Sequence, residues 1–423
     1  MVSLAVISLV ALIIVIIVSC ISTRNIGVMA LGVALVIGHY LGGIKVDDIL
    51  KGYPTSLFIM LAGTTFLFAI AQINGTLEKV TKYVIKGIKG KVVLLPWLLF
   101  FIGLVIGAAG PGPTVTAALL APTVMLLAKE LGISPLLLAV MAGNGGHAGG
   151  MSPIAIGGII TTGLTAKLGL TDLSVIIWLN NVLVHFGTSI VAFFVFGGMK
   201  LMRKQNAGES SVLANLRVEP FTREQKLTLA GLLIYIVAVI GFKMDIGLGA
   251  FLVGMILIFL KVADEDKAIK AMPWGAILMV TGVTVMITLM TKVGGIDLFA
   301  GLIAIFSTAG SISFVTGVVS GIISAFASTT GVILATFIPM APILLQKVGA
   351  PPQELLPLIS AIVSCGFVVD MSPLSTSGAI YLANAHASED KSKLFKNMLV
   401  WGLSMAFVGA AIAWVAFSLL RIP

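Results

Sequence analysis

The stretch that decides the fold reads AGNGGHAGGMSP and covers residues 142–153. It lies inside an apolar segment, 135–165, that is long enough to cross a membrane. Glycine and proline at this density break a helix and leave backbone N–H and C=O groups without helical partners. At membrane depth such groups persist only when they are buried in protein or line a wet cavity. The stretch therefore predicts a broken membrane span beside a binding cavity.

Three further interruptions of the same kind fall inside apolar segments. GPGPTVT covers 110–116, STTG covers 328–331, and the segment from Ser364 to Gly378 ends in DMSPLSTSG. Helix N-termini offer N–H groups to an anion, and unwound carbonyls offer oxygens to a cation such as sodium. We therefore expect the four interruptions to meet at one central site. The alternative is that their small residues only let helices pack closely.

The composition places the chain in a membrane. Only 10% of the 423 residues are charged and 58% are hydrophobic, which leaves too little polar surface for a soluble globule. The net charge is +9, but the basic residues lie in short loops between apolar runs, as in cytoplasmic loops, so nucleic-acid binding is not expected. The two cysteines lie in apolar stretches and predict neither a disulfide framework nor a metal site. No cofactor is expected.

Apolar runs of span length predict an all-α polytopic membrane protein. Single or broken spans are predicted at 2–20, 26–43, 55–73, 135–165, 174–199, 227–242, 246–262, 274–292, 352–386 and 395–420. Two further segments, 92–130 and 310–347, each hold a pair of apolar arms split by a short Gly, Pro or Ser/Thr stretch. We interpret each pair as a re-entrant helical hairpin, and two ordinary spans are the alternative.

The two halves, 1–200 and 227–423, repeat each other across a polar cytoplasmic linker at 201–226. DDILKGYP at 47–54 matches DKAIKAMP at 266–273, at an offset of about 220 residues that recurs along the chain. Each half holds five spans and one hairpin. Because five is odd, the second half begins on the opposite face, so the repeats are predicted to be inverted.

The orientation follows from the 26 Lys and Arg residues, most of which lie in loops on one side. The positive-inside rule makes that side cytoplasmic. Both termini then face outward, the first hairpin enters from the cytoplasm, and the second enters from outside. Segment 76–91, with lysines on one helical face, predicts an interfacial helix, and 296–307 is its counterpart.

Asp370 is the only acidic residue deep within a predicted span. Three roles are open for its carboxylate: binding a cation, carrying a proton, or capping the helix that starts near Ser372.

His147 lies in the matching interruption of the first half. Its ring has three possible roles as well: titration near neutral pH, a hydrogen bond to the substrate, or packing as a neutral side chain. No Lys or Arg lies in the predicted core. An anion would therefore be held by N–H groups, hydroxyls and Asn144, with bound cations offsetting its charge.

At these interruptions the sequence resembles the MatC-type malonate and dicarboxylate carriers, relatives of the divalent anion:sodium symporters in the ion transporter superfamily. The likeness is carried by 142–153 and 368–376 and extends to the span order over nearly the whole chain. It implies a homodimer with scaffold and transport domains, an elevator motion, and substrate and sodium at the hairpin tips. The symporters carry a Ser-Asn-Thr motif at each tip. Here the tips read GPT at 112–114 and STT at 328–330, both without Asn.

We predict a secondary active transporter of the cell membrane that imports small dicarboxylates such as malonate or succinate by symport with a cation, sodium in preference to a proton. The predicted substrate ligands are Thr114, Thr116, Ser152, Pro153, Thr330, Ser375 and Thr376. The predicted cation ligands are Gly112, Asn144, Gly146, Ser328, Thr329, Gly366 and Asp370. The alternatives are the membrane subunit of a binding-protein-dependent (TRAP-type) transporter, a passive channel and an intramembrane enzyme. Against the enzyme, the sequence shows no zinc-spaced His/Glu set, Ser–His–Asp arrangement or paired-Asp motif.

Overall fold

The computed structural model describes residues 3–21, 24–86, 92–204, 219–325, 328–386 and 388–422. Within those ranges the chain forms helices and no strand. Six of the described helices are long and apolar enough to cross a membrane. This agrees with the predicted all-α polytopic membrane protein. The end of the predicted interfacial helix and most of the predicted linker lie outside the described residues.

The helices of the first half are α1 (Leu4–Ile21), α2 (Ile26–Leu35, continued by a π-helix, Val36–Leu41), α3 (Val46–Leu50), α4 (Thr55–Ile73), α5 (Thr76–Lys86), α6 (Leu95–Ala108), α7 (Gly112–Glu130), α8 (Pro135–Gly149), α9 (Ile156–Lys167), α10 (Ser174–Val195) and α11 (Gly198–Lys204). Those of the second half are α12 (Arg223–Phe242), α13 (Ile246–Phe259), α14 (Glu265–Ala271), α15 (Trp274–Val293), α16 (Gly295–Ala304), α17 (Ile312–Ser324), α18 (Ala335–Lys347, preceded by a π-helix, Thr329–Leu334), α19 (Leu355–Val368), α20 (Thr376–Ala383) and α21 (Lys391–Ala413, continued by a π-helix, Trp414–Leu419).

Helix starts follow local signals in the sequence. Spans α4 and α15 begin directly after Pro54 and Pro273, and each follows a short helix, α3 or α14, formed by the matched segments of the two halves. Helix α8 begins at Pro135, and the Ser134 hydroxyl caps it by accepting a hydrogen bond from the Leu137 N–H. Proline in the first turn costs no hydrogen bond, because that N–H has no helical partner.

The two halves meet through two crossings of paired spans. Helix α2 packs on α15, and α4 packs on α13. A Cβ added to Gly63 on α4 would lie 2.1 Å from the Gly247 carbonyl oxygen, and a Cβ added to Gly282 on α15 would lie 2.1 Å from that of Gly27. The backbones therefore touch at both crossings, which only small residues allow between membrane helices. These glycine contacts join the halves into one body.

Each hairpin packs on the broken span that follows it. The first hairpin (α6 and α7) packs on α8, and the first arm of the second hairpin (α17) packs on α19. A Cβ on Gly145 would lie 2.0 Å from the Phe100 carbonyl oxygen, and one on Gly149 would lie 2.2 Å from that of Leu104. Close helix packing thus accounts for these two glycines of the first interruption, as the packing alternative expects.

Replacement of Gly63 by alanine tests the α4–α13 crossing, with Gly32→Ala in α2 as the matched control. Alanine favours a helix over glycine by about 1 kcal/mol, and a Cβ at Gly32 meets nothing within 4 Å. We expect Gly32→Ala to leave the melting temperature of the detergent-purified protein unchanged or raised. Gly63→Ala should lower it, because the new methyl group meets the Gly247 carbonyl. Equal melting temperatures for the two variants would contradict the tight crossing.

Candidate functional site

The tip of the first hairpin is a tight turn between α6 and α7. Gly110 and Gly112 adopt φ values of 130° and 80°, which side chains with a Cβ rarely adopt. A Cβ on Gly110 would lie 1.9 Å from the Phe68 ring. The chain thus reverses direction against α4, inside the protein, and α7 begins at the tip, where the first N–H groups of a helix have no helical partner.

The two broken spans contain loops of the same shape. The Met-Ser-Pro segments of both halves lie between α8 and α9 and between α19 and α20. A Cβ on Gly158 would lie 1.9 Å from the Ser152 carbonyl oxygen, and one on Gly378 would lie 1.9 Å from that of Ser372. Only glycine fits where the loop closes over its own backbone. Matched residues therefore fold alike in the two halves.

Asp370 lies in the second loop, where oxygen atoms from three segments meet. The Thr329 hydroxyl at the second hairpin tip donates to Asp370 Oδ2 at 2.9 Å, and the Ser324 hydroxyl lies 2.6 Å from that of Thr329. The Gly366 carbonyl oxygen lies 3.0 Å from the same Thr329 hydroxyl. The Asp370 side chain is 16% exposed. A carboxylate, two hydroxyls and a carbonyl form the kind of oxygen set that hard cations prefer.

His147 connects the two interruptions across the halves. Its Nε2 lies 3.2 Å from the Ser377 hydroxyl and 4.0 Å from Asp370 Oδ2, and the ring is 1% exposed. Its ring also packs near His185 and Phe367, with centroids 6.0 and 6.1 Å away. The described residues contain no group of three or more His, Cys, Asp and Glu side chains that could hold a metal ion. A cation at this site therefore depends on hydroxyl and carbonyl oxygens around a single carboxylate.

Helix α10 supplies donors to the end of α8. The Asn181 amide donates to the carbonyl oxygens of His147 and Ala148 at 3.1 and 3.3 Å, and the Trp178 indole N–H donates to Ala148 at 3.0 Å. The Asn144 amide donates to the hydroxyls of Thr188 and Ser189 on the same helix. The bonds from Asn181 and Trp178 satisfy carbonyls that the break deprives of helical partners.

The first half of the chain also carries a family signature. Residues 2–150, which run from α1 through the first hairpin to the end of α8, match the family model described as the dicarboxylate carrier protein MatC N-terminus. The N-terminal part of this chain is therefore similar to that of the MatC-type dicarboxylate carriers. The match supports, over these residues, the resemblance noted in the sequence. The long apolar helices fit a multi-pass membrane protein. No curated protein matches the chain.

The predicted ligands fall into two groups. Some are engaged within their own element, as in Thr116, whose hydroxyl donates to the Gly112 carbonyl at 2.8 Å, and Ser375, whose hydroxyl donates to the carbonyls of Asp370 and Ser372. The others lie at the hairpin tips and along the broken spans, and some of them are tightly packed there. Half-buried or exposed residues of this second group are Thr114, Pro153, Ser328, Thr330 and Thr376.

Tip and broken span meet in the same way in each half. A Cβ on Gly146 would lie 3.1 Å from the Thr116 Cγ2, and one on Gly366 would lie 2.7 Å from the Thr329 Cγ2. The Ser152 hydroxyl donates to the Ala108 carbonyl at the end of α6, which fastens the first loop to the first hairpin. The Lys and Arg residues whose side chains the structure describes are half-buried or exposed.

Four residues at the site were not among the predicted ligands. Ser324, Ser377, Trp178 and Asn181 all contribute hydrogen bonds to the interruptions. A lone serine in an apolar helix carries no sequence signal. Helix α10 does carry one, because its buried polar residues recur at helical spacing within an otherwise apolar span: Asn180, Asn181, His185, Thr188 and Ser189.

Replacement of Asn181 by leucine tests whether α10 supports the first interruption. The change leaves the His147 carbonyl without its side-chain donor, and a buried polar group without a partner costs about 1–3 kcal/mol. We expect a lower melting temperature and reduced dicarboxylate uptake. The control is Asn384→Leu, because the Asn384 amide also donates to a carbonyl at 2.9 Å but is exposed. Equal stability of the two variants would show that the α10 donors do not hold the break.

Proposed function

We propose that this protein is a secondary active transporter that imports small dicarboxylates, such as malonate or succinate, in symport with a cation, and that the cation is sodium. The observation that carries the proposal is the junction of the interruptions. The tip of the first hairpin meets the first broken span at Gly146, and the tip of the second meets the second broken span at Asp370. His147 joins the two broken spans. The ends of α8 and α19 and the starts of α7 and α20 therefore lie at one junction between the halves.

The dicarboxylate binds to N–H groups and hydroxyls in this proposal. Helices α7 and α20 begin at the junction, and their first N–H groups carry partial positive charge that attracts a carboxylate. Thr330, Ser375 and Thr376 lie at its accessible edge in the second half, and Thr114, Thr116, Ser152 and Pro153 are their proposed counterparts in the first. Because no lysine or arginine whose side chain the structure describes is buried, the charge of a dianion has to be offset by a bound cation in this proposal.

The cation binds around Asp370 in this proposal. Thr329 and Gly366 place a hydroxyl and a carbonyl oxygen beside the carboxylate, and Ser328 lies next to them at the start of the π-helix. Oxygen atoms are the ligands of hard cations, and sodium binds at unwound carbonyls in other transporters with broken helices. A cation bound here reduces the electrostatic cost of placing the dianion in a membrane interior.

The transport cycle proposed here is an elevator motion in a homodimer of inverted repeats. The reciprocal crossings of α2 with α15 and α4 with α13 support a two-fold relation between the halves, because each pairs a second span with a third span. These spans would form the scaffold, and the hairpins with the broken spans would form the moving domain. Helices α5 and α16 precede the hairpins in the two halves and would connect the two domains. Both termini would face outward in the cell membrane.

Reconstitution of the purified chain in liposomes tests this function directly. We expect concentrative uptake of malonate or succinate when an inward sodium gradient is imposed, and weaker or no uptake under a proton gradient alone. Activity without a soluble partner distinguishes a self-sufficient symporter from the membrane subunit of a binding-protein-dependent system. If the dicarboxylate moves only down its own concentration gradient, the protein is a channel instead. Product formed from the dicarboxylate by the purified protein would indicate an enzyme.

Substitution of Thr330 by tryptophan tests the position of the substrate. Thr330 is half-buried at the second hairpin tip, where its hydroxyl lies 3.3 Å from that of Ser328. A bulky side chain there would fill the space proposed for the dicarboxylate, so uptake should fall by about tenfold or more, or at least 1.4 kcal/mol. Thr171→Trp, in an exposed loop between α9 and α10, is the control and should transport normally. Normal uptake by Thr330→Trp would remove Thr330 from the site.

A further inference from the structure

The end of α10 that is predicted to face the cytoplasm is flanked by two open grooves. The first groove has a volume of about 640 Å³ and lies between the α7–α8 loop and the turn from α10 to α11. The second has a volume of about 440 Å³ and lies between α10 and α21. Val195 and Phe196 line both grooves. The two grooves therefore adjoin at the end of α10.

Each groove combines an apolar lining with one lysine. Lys200 lines the first groove and Lys396 lines the second, and both side chains are exposed. Neither groove has an aspartate or a glutamate among its described lining residues. The apolar lining is open to the surroundings, because Phe194, Val195 and Val400 are 57%, 63% and 61% exposed. This pairing of apolar surface and cation matches a ligand with apolar chains and an anionic head.

The two lysines have no carboxylate partner in the described part of the chain, whose ion pairs involve other side chains. Helix α21 occupies in the second half the place that α10 occupies in the first. Beyond the end of α21, Arg421 is paired with the buried carboxylate of Glu354, directly before α19. The protein thus supplies its own anion at one end of the repeat. At the matched end of α10 the anion has to come from outside the described chain.

A third groove shows that an apolar groove does not by itself bring a lysine with it. This groove lies between α4, α13 and α14 and has a volume of about 690 Å³. The one charged side chain in its described lining is Glu265. It offers an apolar surface comparable to that of the first groove but would repel an anion. Lys200 and Lys396 therefore distinguish the grooves at α10 from other apolar surface of the molecule.

A second copy of this chain fits the grooves poorly. In a two-fold interface the same surface meets itself. Lys200 and Lys396 of both copies would then lie in one contact, and the described lining holds no carboxylate to offset their charge. Like charges without a partner oppose such a contact. The occupant that the charge favours is an anion with apolar chains.

We propose that an anionic phospholipid binds at this end of α10, with its phosphate group beside Lys200 and Lys396 and its acyl chains in the two grooves. A phosphate oxygen accepts strong hydrogen bonds from an ammonium group. Basic pockets between membrane helices on the cytoplasmic side are suited to anionic lipid headgroups, which are concentrated in that leaflet. This lipid site is separate from the junction of the interruptions, and it stands whether or not the proposed symport does.

Native mass spectrometry of the detergent-purified full chain measures the binding. The protein is titrated with phosphatidylglycerol and with phosphatidylcholine of the same acyl chains, and we expect phosphatidylglycerol to bind about tenfold more tightly or better. Lys200→Gln should weaken phosphatidylglycerol binding about fivefold, and the double variant with Lys396→Gln about thirtyfold. The matched control is Lys267→Gln, because Lys267 is also exposed and predicted to be cytoplasmic but lines none of these grooves. It should bind within about twofold of wild type.

A groove-filling variant tests the acyl chains separately from the charge. Val195→Trp should weaken phosphatidylglycerol binding about tenfold, whereas Val237→Trp, at an exposed position of α12, should not. If Val195→Trp aggregates on size exclusion, Val400→Trp in the second groove carries the same test and the same expectation.

Four results would overturn the lipid site. They are equal affinity for the two lipids, equal weakening by Lys267→Gln and Lys200→Gln, unchanged binding in the groove-filling variant, and displacement of the lipid by an equal concentration of glycerol phosphate. The second result would indicate general attraction to a basic surface. The last would indicate a site for free phosphate groups.

Discussion

A backbone N–H or C=O group in the hydrocarbon core of a membrane has no water to bond, so each break in a spanning helix must be satisfied by protein or by a ligand. This constraint shapes the centre of the molecule. Both broken spans end a helix in mid-segment, at Gly149 and Val368, and resume it only after a Met-Ser-Pro loop. Each loop is closed by its own backbone and by a hairpin tip. The fold thus gathers its interrupted backbone at one place and surrounds it with helices.

The two halves meet that constraint with different chemistry. In the first half, donors of Asn181 and Trp178 on α10 satisfy the carbonyls of α8. In the second half, hydroxyls of the hairpin tip gather around Asp370 and the Gly366 carbonyl. A site with fixed donors is rigid, whereas a site with rotatable hydroxyls and a carboxylate can exchange its internal bonds for a bound ion. The two breaks are therefore satisfied by different groups, by amide and indole donors in the first and by hydroxyls in the second.

Much of the fold could be predicted from the sequence because membrane spans are long and apolar. The span predicted at 55–73 coincides with α4, Thr55–Ile73, and those predicted at 174–199 and 274–292 begin where α10 and α15 begin. Helix ends that depend on hydrogen bonds rather than hydrophobicity were less predictable. The predicted span 227–242 begins four residues late, because Thr222 and Gln225 form a capping box before the apolar run starts.

The site could be predicted in outline but not in its contacts. Clustered glycine and proline mark where helices break, and Asp370 stands out as a carboxylate in an apolar segment. The spacing of residues in the sequence does not show which partner a side chain contacts, because that depends on how the helices pack. The break predicted at 142–153 begins only after Gly149, because α8 continues through the glycine-rich stretch, so Asn144 lies within a helix. Its amide is turned to Thr188 and Ser189 on α10. Conversely, Ser324 gives no signal in sequence and is placed beside Thr329 only by the geometry of the second hairpin.

The most direct test of a binding site at the interruptions is whether substrate slows the labelling of a cysteine placed at the second hairpin tip. Cys20 and Cys365 are first replaced by alanine. A cysteine then replaces Thr330 or, for comparison, Thr171, and the rate of its reaction with a water-soluble maleimide is measured. The account predicts that succinate with sodium slows labelling at position 330 by about tenfold and leaves position 171 unaffected. Equal labelling rates at position 330 with and without succinate would contradict a dicarboxylate site at the junction of the four interruptions.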